Sequence, residues 1–412
     1  MTTTNEIHKC EVCGNAKLKP VLDLGKHPLC DDLLPVGEKL TCAEFPIEIL
    51  YCSNCATAHQ RYQVPKHELF PTSYHYRSRF TADVLAGMSA LVNTCEQRLG
   101  SLKGKLVLDV GCNDGSLLDI FQEKGAKTLG IEPTDAYRDG LGKGHVLLNG
   151  FFSPQTATLL RNQHGSPDVI TFTNVFAHIE NLPEVIEALK ILMSSDTMLV
   201  VENHYLGAVL DRHQFDTFYH EHPRTYSLTS FQHIAKSLDV RLSGVEFPSR
   251  YGGNIRVFMG GPNMNPTGGA SSIISVLEAE SHYGDRLRAM QGEVEQWKTS
   301  MSALILDLVS KHGKLAGKAF PGRAAILVKL LGLDNNTISA VYEKPGSMKI
   351  GHYLPGTRIP ILSDDDLFEQ SSQPPVMLNL AWHISTEIND YLKKRGYEGT
   401  VVDILDPSKF NH

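Results

Sequence analysis

Two pairs of cysteines near the start of the chain constrain its fold more than any other feature. Each pair has the spacing C-x2-C, and the pairs are formed by Cys10, Cys13, Cys52 and Cys55. Four thiolates in two close pairs suit a tetrahedral Zn2+ ion. The metal would close residues 14–51, a segment too small to fold on a core of its own. The alternative is a set of four reduced core cysteines.

The composition is that of an ordinary globular protein. A length of 412 residues predicts two or three domains, and 42% hydrophobic residues are enough for a large core. The net charge of -7 argues against nucleic acid as the main partner. We find no secretory signal and no apolar run of membrane-spanning length. The remaining cysteines are scattered, which fits a reducing compartment, so we expect a cytoplasmic protein.

The order of predicted elements divides the chain into three parts. Residues 1–66 form the cysteine region, residues 67–265 a first α/β domain, and residues 266–412 a smaller α/β domain. In the first α/β domain the pattern predicts helices at 80–99, 116–124 and 182–193, with strands at 105–110, 127–132, 168–173 and 197–202. Short apolar strands separated by helices predict a parallel, doubly wound sheet. A long helical stretch at 270–311 precedes the second strand-and-helix pattern.

The strand at 105–110 runs into a glycine-containing turn, Val107-Leu-Asp-Val-Gly-Cys-Asn-Asp-Gly115. Glycine there lets a ligand approach the backbone closely, and the following helix offers free N–H groups. The spacing is G-x-x-x-G rather than the dinucleotide G-x-G-x-x-G, which favours S-adenosylmethionine over NAD. Glu132 ends the next strand, where a carboxylate can accept hydrogen bonds from both ribose hydroxyls. A tight turn of any α/β protein is the alternative.

Two later motifs follow strands whose carboxyl ends would meet at the ligand-binding edge of such a sheet. The first is Asn174-Val-Phe-Ala-His178, although a single histidine in that place is often structural. The second, Phe215-Asp-Thr-Phe-Tyr-His-Glu-His222, is dense in proton-handling groups. It could be an acid–base set, a second metal site or a polar surface loop.

Together the motifs resemble the sugar C-methyltransferases of deoxysugar pathways, over the whole chain. The resemblance is specific at the four cysteines, at 111–118, 174–178, 215–222 and 226–229, at Gly252-Gly253, at 353–361 and at 380–382. It implies a zinc region, a Rossmann-like class I methyltransferase core that binds S-adenosylmethionine, and a C-terminal Rossmann-like domain that helps to hold a nucleotide sugar. It also implies methylation of carbon 3 of a TDP-4-keto-hexose, with the zinc structural.

The resemblance also implies roles for individual residues. His222 matches the base that removes the proton beside the ketone, Tyr219 and His178 match groups at the sugar oxygens, and Glu221 and Tyr76 match active-site neighbours. The implied cofactor residues are Asp109, Gly111, Asn113, Gly115, Glu132 and Asn174. The implied acceptor residues are Arg323, Lys344, Tyr353 and Trp382.

The stretch 319–325 departs from the family pattern. Arg323 stands where the family carries a lysine, Phe320 adds bulk, Lys344 belongs to an altered triplet, and His383 follows the tryptophan where asparagine is common. The nucleotide end of the acceptor is therefore open. The leading hypothesis is a monomeric enzyme that methylates a keto-sugar nucleotide at carbon. The alternatives are the same fold acting on carbon, nitrogen or oxygen of an acceptor without TDP, and a non-catalytic zinc- and nucleotide-binding protein.

Overall fold

The structure is a computed structural model that describes residues 4–70, 77–80, 82–261 and 270–410. The strands are β1 (Asn5–Glu6), β2 (Lys19–Pro28), β3 (Glu44–Cys52), β4 (Thr57–Gln60), β5 (Tyr62–Gln63), β6 (Leu106–Val110), β7 (Lys127–Glu132), β8 (Val146–Asn149), β9 (Val169–Thr173), β10 (Met198–His204), β11 (Arg224–Thr225), β12 (Leu242–Glu246), β13 (Asn254–Gly260), β14 (Leu315–Lys318), β15 (Ile338–Glu343), β16 (Ile361–Ser363), β17 (Val376–Asn379) and β18 (Thr400–Asp403). The α-helices are α1 (Lys66–Leu69), α2 (Ala82–Leu99), α3 (Ser116–Glu123), α4 (Tyr137–Gly140), α5 (Pro154–His164), α6 (Leu182–Leu192), α7 (Leu206–Asp211), α8 (Leu228–Ser237), α9 (Ala270–Glu280), α10 (Tyr283–His312), α11 (Ala324–Leu330), α12 (Asp364–Phe368) and α13 (Ser385–Lys394). Among the described helices, none is both long and apolar enough to cross a membrane.

The described residues fall into two compact units, each assembled from three stretches of chain. The first unit contains Met1–Lys19, Leu50–Val209 and Glu221–Gly284. The second contains Pro20–Ile49, Leu210–His220 and Asp285–His412. This is a division in space, and the division into three functional parts at residues 66 and 265 stays a prediction.

A seven-stranded sheet forms the centre of the first unit, in the order β12-β13-β10-β9-β6-β7-β8. The strands from β10 to β8 are parallel, and β13 pairs antiparallel with both β10 and β12. The interior strand β6 is apolar along almost its whole length because both of its faces are covered. The predicted Rossmann-like core is confirmed. The strand predicted at 197–202 continues to His204, which pairs with Asn254 of β13.

Helices α2 and α3 cover one face of this sheet. Their apolar residues, among them Leu91 and Phe121, pack with Val107 of β6 and Phe258 of β13 in one buried cluster. The helix predicted from residue 80 is described from Ala82 onward. The apolar residues that recur at helical spacing in α2 therefore face the sheet, as expected for an amphipathic helix.

Two small antiparallel pairings complete the strands described in the first unit. β1 pairs with β5, and β4 pairs with β11 in the register Arg224↔His59 and Thr225↔Ala58. β4 begins two residues after Cys55. The chain that leaves the second cysteine pair is therefore bound to the chain that follows His222.

A five-stranded parallel sheet forms the centre of the second unit, in the order β16-β15-β14-β17-β18. The first of these strands in the chain, β14, lies in the middle, which is the Rossmann arrangement, and the predicted smaller α/β fold is confirmed. The helical stretch predicted at 270–311 is divided into α9 and α10. Glu280 is the last residue of α9, and its buried carboxylate accepts hydrogen bonds from the N–H groups of Leu228 and Thr229 at the start of α8.

Candidate active site

The turn between β6 and α3 is built from residues in the left-handed region of backbone space. The φ angles are 72° at Gly111, 50° at Asn113 and 79° at Gly115. A Cβ atom on Gly111 would lie 2.5 Å from Cγ2 of Val175, so only glycine fits there without displacing that side chain. The turn lies at the carboxyl end of β6, where the sequence predicts a cofactor loop.

Glu132 lies at the end of β7, next to this turn. One carboxylate oxygen accepts a hydrogen bond from the Asn113 N–H at 3.0 Å. The other accepts from the N–H and the hydroxyl of Thr134, at 2.9 and 2.6 Å. A carboxylate has about four acceptor positions, so the three bonds from described residues leave capacity for a ribose hydroxyl. The donor and acceptor set therefore fits S-adenosylmethionine, held by Glu132 and the backbone of residues 111–115.

Asp109 lies within β6 and is almost completely buried. Burial raises the pKa of its carboxyl to about 7, although the hydroxyl of Thr171, at 2.7 Å, opposes the shift by donating a hydrogen bond. The structure thus places this predicted cofactor residue below the turn, in contact with the neighbouring strand.

Asn174 follows β9 and is held by a buried ionic network. Its N–H donates to the backbone oxygen of Glu202 at 2.7 Å, and its side-chain oxygen accepts from the amide of Asn254 at 3.2 Å. The fully buried Glu202 carboxylate pairs with Arg250 at 2.5 Å and with Arg256 at 2.7 Å. Sequence reasoning missed this network because its members are about 50 residues apart, although two arginines flanking a glycine-rich strand were a usable signal.

Three imidazoles meet at the same edge of the sheet. The ring centroid of His222 lies 4.8 Å from that of His178 and 5.3 Å from that of His204. His178 Nδ1 lies 2.8 Å from the backbone oxygen of Glu221 and must donate to it, since a carbonyl only accepts. Burial lowers the pKa of His178 to about 4, so the ring is neutral at pH 7 and its Nε2 is an acceptor. Sequence reasoning did not identify His204 as a candidate site residue. Its position at the end of a parallel strand was the signal that could have identified it.

Three other predicted catalytic residues are placed as follows. Glu221 is buried beside His222 in the chain, and its backbone oxygen orients His178. Tyr219 is partly buried in the short segment that precedes Glu221. Tyr76 lies outside the described residues.

Arg323 and Trp382 meet in the second unit at one carboxylate. Arg323 donates to the two oxygens of Asp216 at 2.8 and 2.5 Å, and its Nη2 lies 3.1 Å from the side-chain oxygen of Gln214. The indole N–H of Trp382 donates to the same carboxylate at 2.9 Å. Asp216 is completely buried. This partner lies 107 positions from Arg323 in the chain, and sequence reasoning did not identify it.

The other two predicted acceptor residues have different surroundings. Lys344 is exposed, with its ammonium 5.0 Å from the centroid of the Tyr391 ring. The hydroxyl of Tyr353 accepts a hydrogen bond from the N–H of Gly37 at 3.1 Å. The structure thus brings Arg323 and Trp382 together, while Lys344 and Tyr353 make separate contacts.

The four cysteines meet in the first unit. All four sulfur atoms lie within 4.8 Å of one another, with Cys10 to Cys55 at 3.4 Å and Cys13 to Cys52 at 3.6 Å. A tetrahedral ion with Zn–S bonds of about 2.3 Å separates its sulfurs by roughly 3.8 Å. The hydroxyl of Thr57 lies 3.0 Å from the sulfur of Cys55, and the side-chain amide of Asn15 donates to the sulfur of Cys52 at 3.5 Å. Such outer contacts are typical of a metal site. The cluster fits zinc.

Three family models match successive parts of the chain. A zinc binding domain matches residues 10–70, a methyltransferase domain matches 75–242, and a C-methyltransferase C-terminal domain matches 249–402. Together they follow the arrangement of cysteine cluster, cofactor turn and second parallel sheet seen in the structure.

Similar proteins include the C-methyltransferase NovU of Streptomyces niveus, 28% identical over 94% of this chain and 93% of that protein. The protein is an S-adenosylmethionine-dependent C-methyltransferase. A ubiquinone biosynthesis O-methyltransferase of Shewanella halifaxensis is 35% identical to the present protein, over 24% of the present chain and 42% of that relative. Two solved structures of the magnesium protoporphyrin IX methyltransferase of Synechocystis PCC 6803 are 15% and 13% identical to this chain. The first of these matches covers 43% of this chain and 83% of the methyltransferase chain, with a TM-score of 0.34.

Proposed function

We propose that the C-methyltransferase methylates a carbon beside a ketone, carbon 3 of a TDP-4-keto-deoxyhexose, and that His222 removes the proton. The observation that carries the proposal is the imidazole pair of His222 and His178 at the carboxyl edge of the seven-stranded sheet. The cofactor turn and Glu132 end at that same edge, because the strands that carry them are parallel. The acceptor is a small molecule, and we propose that the enzyme acts as a monomer.

Carbon becomes a nucleophile only when a neighbouring carbonyl can accept the electron pair. His222 takes the proton from the carbon, and the electron pair of the C–H bond moves to the ketone oxygen to form an enolate. S-adenosylmethionine, when held by Glu132 and the backbone of residues 111–115, would supply an electrophilic methyl group on a sulfonium. The residues around His222 would hold the enolate carbon in line with that methyl group, and this positioning would supply much of the rate.

The tautomer of His178 limits what it can do in this scheme. Its Nδ1 proton is donated to the Glu221 backbone, so its Nε2 can accept a hydrogen bond from a sugar hydroxyl but cannot donate one to the enolate oxygen. A donor for the enolate must come from another group, and Tyr219 is the predicted candidate.

A second candidate function, methylation of an acceptor without TDP, is favoured by one observation. The guanidinium of Arg323 is already bound to Asp216 on two nitrogens, and Trp382 is bound to the same carboxylate. A phosphate would have to compete with that buried pair. The roles of Arg323, Lys344, Tyr353 and Trp382 at the nucleotide end therefore stay predictions.

The test is His222→Asn, which keeps the size of the side chain but removes the base. Turnover should fall by roughly 10²–10⁴, with cofactor affinity near wild type. His164→Asn, at an exposed position of α5, is the matched control. With a non-reactive cofactor analogue, the wild type should introduce solvent deuterium at the acceptor's reacting carbon, and His222→Asn should not.

Equal exchange in His222→Asn and wild type would assign the base to another residue. Methylation without any exchange would show that the acceptor atom is not an activated carbon. Methylation of a non-nucleotide acceptor alone would favour the second candidate.

A further inference from the structure

Arg224 lies two residues after His222 and is completely buried. Its Nε donates to the hydroxyl of Tyr226 at 3.0 Å. Its Nη1 donates to the carboxylate of Glu11 and lies 3.4 Å from the backbone oxygen of Glu180. One guanidinium thus connects three segments of the first unit: its own and those that contain Glu11 and Glu180.

Glu11 belongs to the cysteine cluster, since it follows Cys10 inside the first C-x2-C pair. Its carboxylate also accepts a hydrogen bond from the amide of Gln63 at 2.8 Å. The guanidinium of Arg224 has no exposed surface and forms an ion pair with this carboxylate. Removing Glu11 would therefore leave the charge of Arg224 buried and uncompensated.

The backbone makes a second connection between the same regions. β4, which leaves the second cysteine pair, is paired with Arg224 through His59, and the N–H of Gln60 donates to the backbone oxygen of Pro223 at 2.8 Å. Ser230, at the start of α8, donates to the backbone oxygen of Cys55 at 3.1 Å. The main chain on both sides of Arg224 is therefore bound to the chain around the cysteines.

The third segment leads to the partner imidazole. Glu180, whose backbone oxygen faces Arg224, lies two residues after His178. His178 in turn donates to the backbone of Glu221, the residue before His222. The segments that carry both imidazoles thus converge on Arg224.

We propose that Arg224 and Glu11 are a positioning pair that couples the cysteine cluster to His222. The cluster holds Glu11, Glu11 holds the guanidinium, and the guanidinium fixes the segments that carry His222 and His178. The proposal rests on the proposed role of His222 as the base. Its catalytic consequence is large because a displacement of about 1 Å in a reacting group can reduce the rate roughly 10²-fold.

The test compares Glu11→Gln with Glu6→Gln in the full-length, zinc-loaded protein. Glu6 is the matched control, since it pairs with Arg61 at 2.9 Å on the exposed surface of the same region. Glu11→Gln should raise the rate of amide hydrogen exchange in a peptide spanning residues 219–227. Its turnover of a TDP-4-keto-deoxyhexose should fall by roughly 10- to 100-fold. Zinc content and S-adenosylmethionine affinity should equal those of wild type, and Glu6→Gln should change none of these.

Unchanged exchange in Glu11→Gln would overturn the proposal. Loss of zinc in this variant would also overturn it, because Glu11 would then support the metal site instead of His222. If Glu11→Gln does not fold, Arg224→Lys, which keeps the charge but loses the planar fork, must show the same faster exchange. If the wild type does not methylate the keto-sugar, the proposed function fails, and the exchange comparison still decides the coupling.

Discussion

Replacing Arg323 by alanine should destabilise the second unit before it reveals anything about acceptor binding. The variant leaves the buried Asp216 with the indole of Trp382 but without the guanidinium that donates to both of its oxygens. The side chains of Arg323 and Asp216 are 9% and 0% exposed, so solvent can replace little of the lost interaction. Breaking a buried pair by removing one partner costs about 3–5 kcal/mol.

This cost should appear in the unfolding of the second unit. Both tryptophans of the chain, Trp297 and Trp382, lie in that unit, so their fluorescence reports its denaturation in urea. A loss of this size corresponds to a decrease in melting temperature on the order of 10 °C. The double variant Arg323→Ala with Asp216→Asn removes the uncompensated charge and should recover part of the stability.

Two results would refute this reasoning. The first is a decrease of less than about 1 kcal/mol in the free energy of unfolding of Arg323→Ala, because a decrease that small is typical of an exposed ion pair. The second is strict additivity in the double-mutant cycle, since coupled neighbours deviate from additivity. A change in acceptor KM can be assigned to lost phosphate contacts only under conditions where the folded fraction of the variant equals that of wild type.

Three further predictions concern other parts of the molecule. Purified protein should contain one equivalent of zinc, and Cys52→Ser should lower that content in metal analysis; full retention of zinc would contradict the four-cysteine site. Glu132→Ala should weaken S-adenosylmethionine binding by about 1–3 kcal/mol in titration calorimetry, because hydrogen-bond donors around the ribose lose their partner; unchanged affinity, or preferential NAD binding, would refute the placement. Burial lowers the pKa of His220 to about 4, below its unfolded value near 6.5, so the folded state binds fewer protons in that interval. The free energy of unfolding should therefore fall as the pH drops from about 6.5 to about 4, and in urea titrations His220→Gln should reduce that fall.

The sequence predicted well those features that are encoded locally. The period of apolar residues located β6, β7, β9 and α3 to within one or two residues. The cysteine spacing located the metal cluster, because each pair needs only a short turn to bring its sulfurs together.

The same reasoning could not predict hydrogen bonds and ion pairs between residues that lie far apart in the chain. The predicted 270–311 helix is divided after Glu280, whose carboxylate bonds to the start of α8 about 50 residues earlier. The ion pair between Arg323 and Asp216 likewise joins residues that are 107 positions apart. A buried charged group is stable only when it is paired, but the spacing of residues along the chain does not show which residue is its partner.

The interleaving of the two units has a consequence for how the chain is made. Residues 20–49 of the second unit leave the ribosome well before residue 285, where the main body of that unit begins. At typical synthesis rates of about 5–20 residues per second, the wait is on the order of 10–50 s. During that time β2 and its neighbours lack most of the unit they belong to, although contacts such as that between Asp23 and Gln291 form in the finished protein. Nascent-chain factors that shield apolar segments should therefore matter more for this enzyme than for one whose domains are contiguous, and expression of residues 1–265 alone should yield an aggregation-prone fragment.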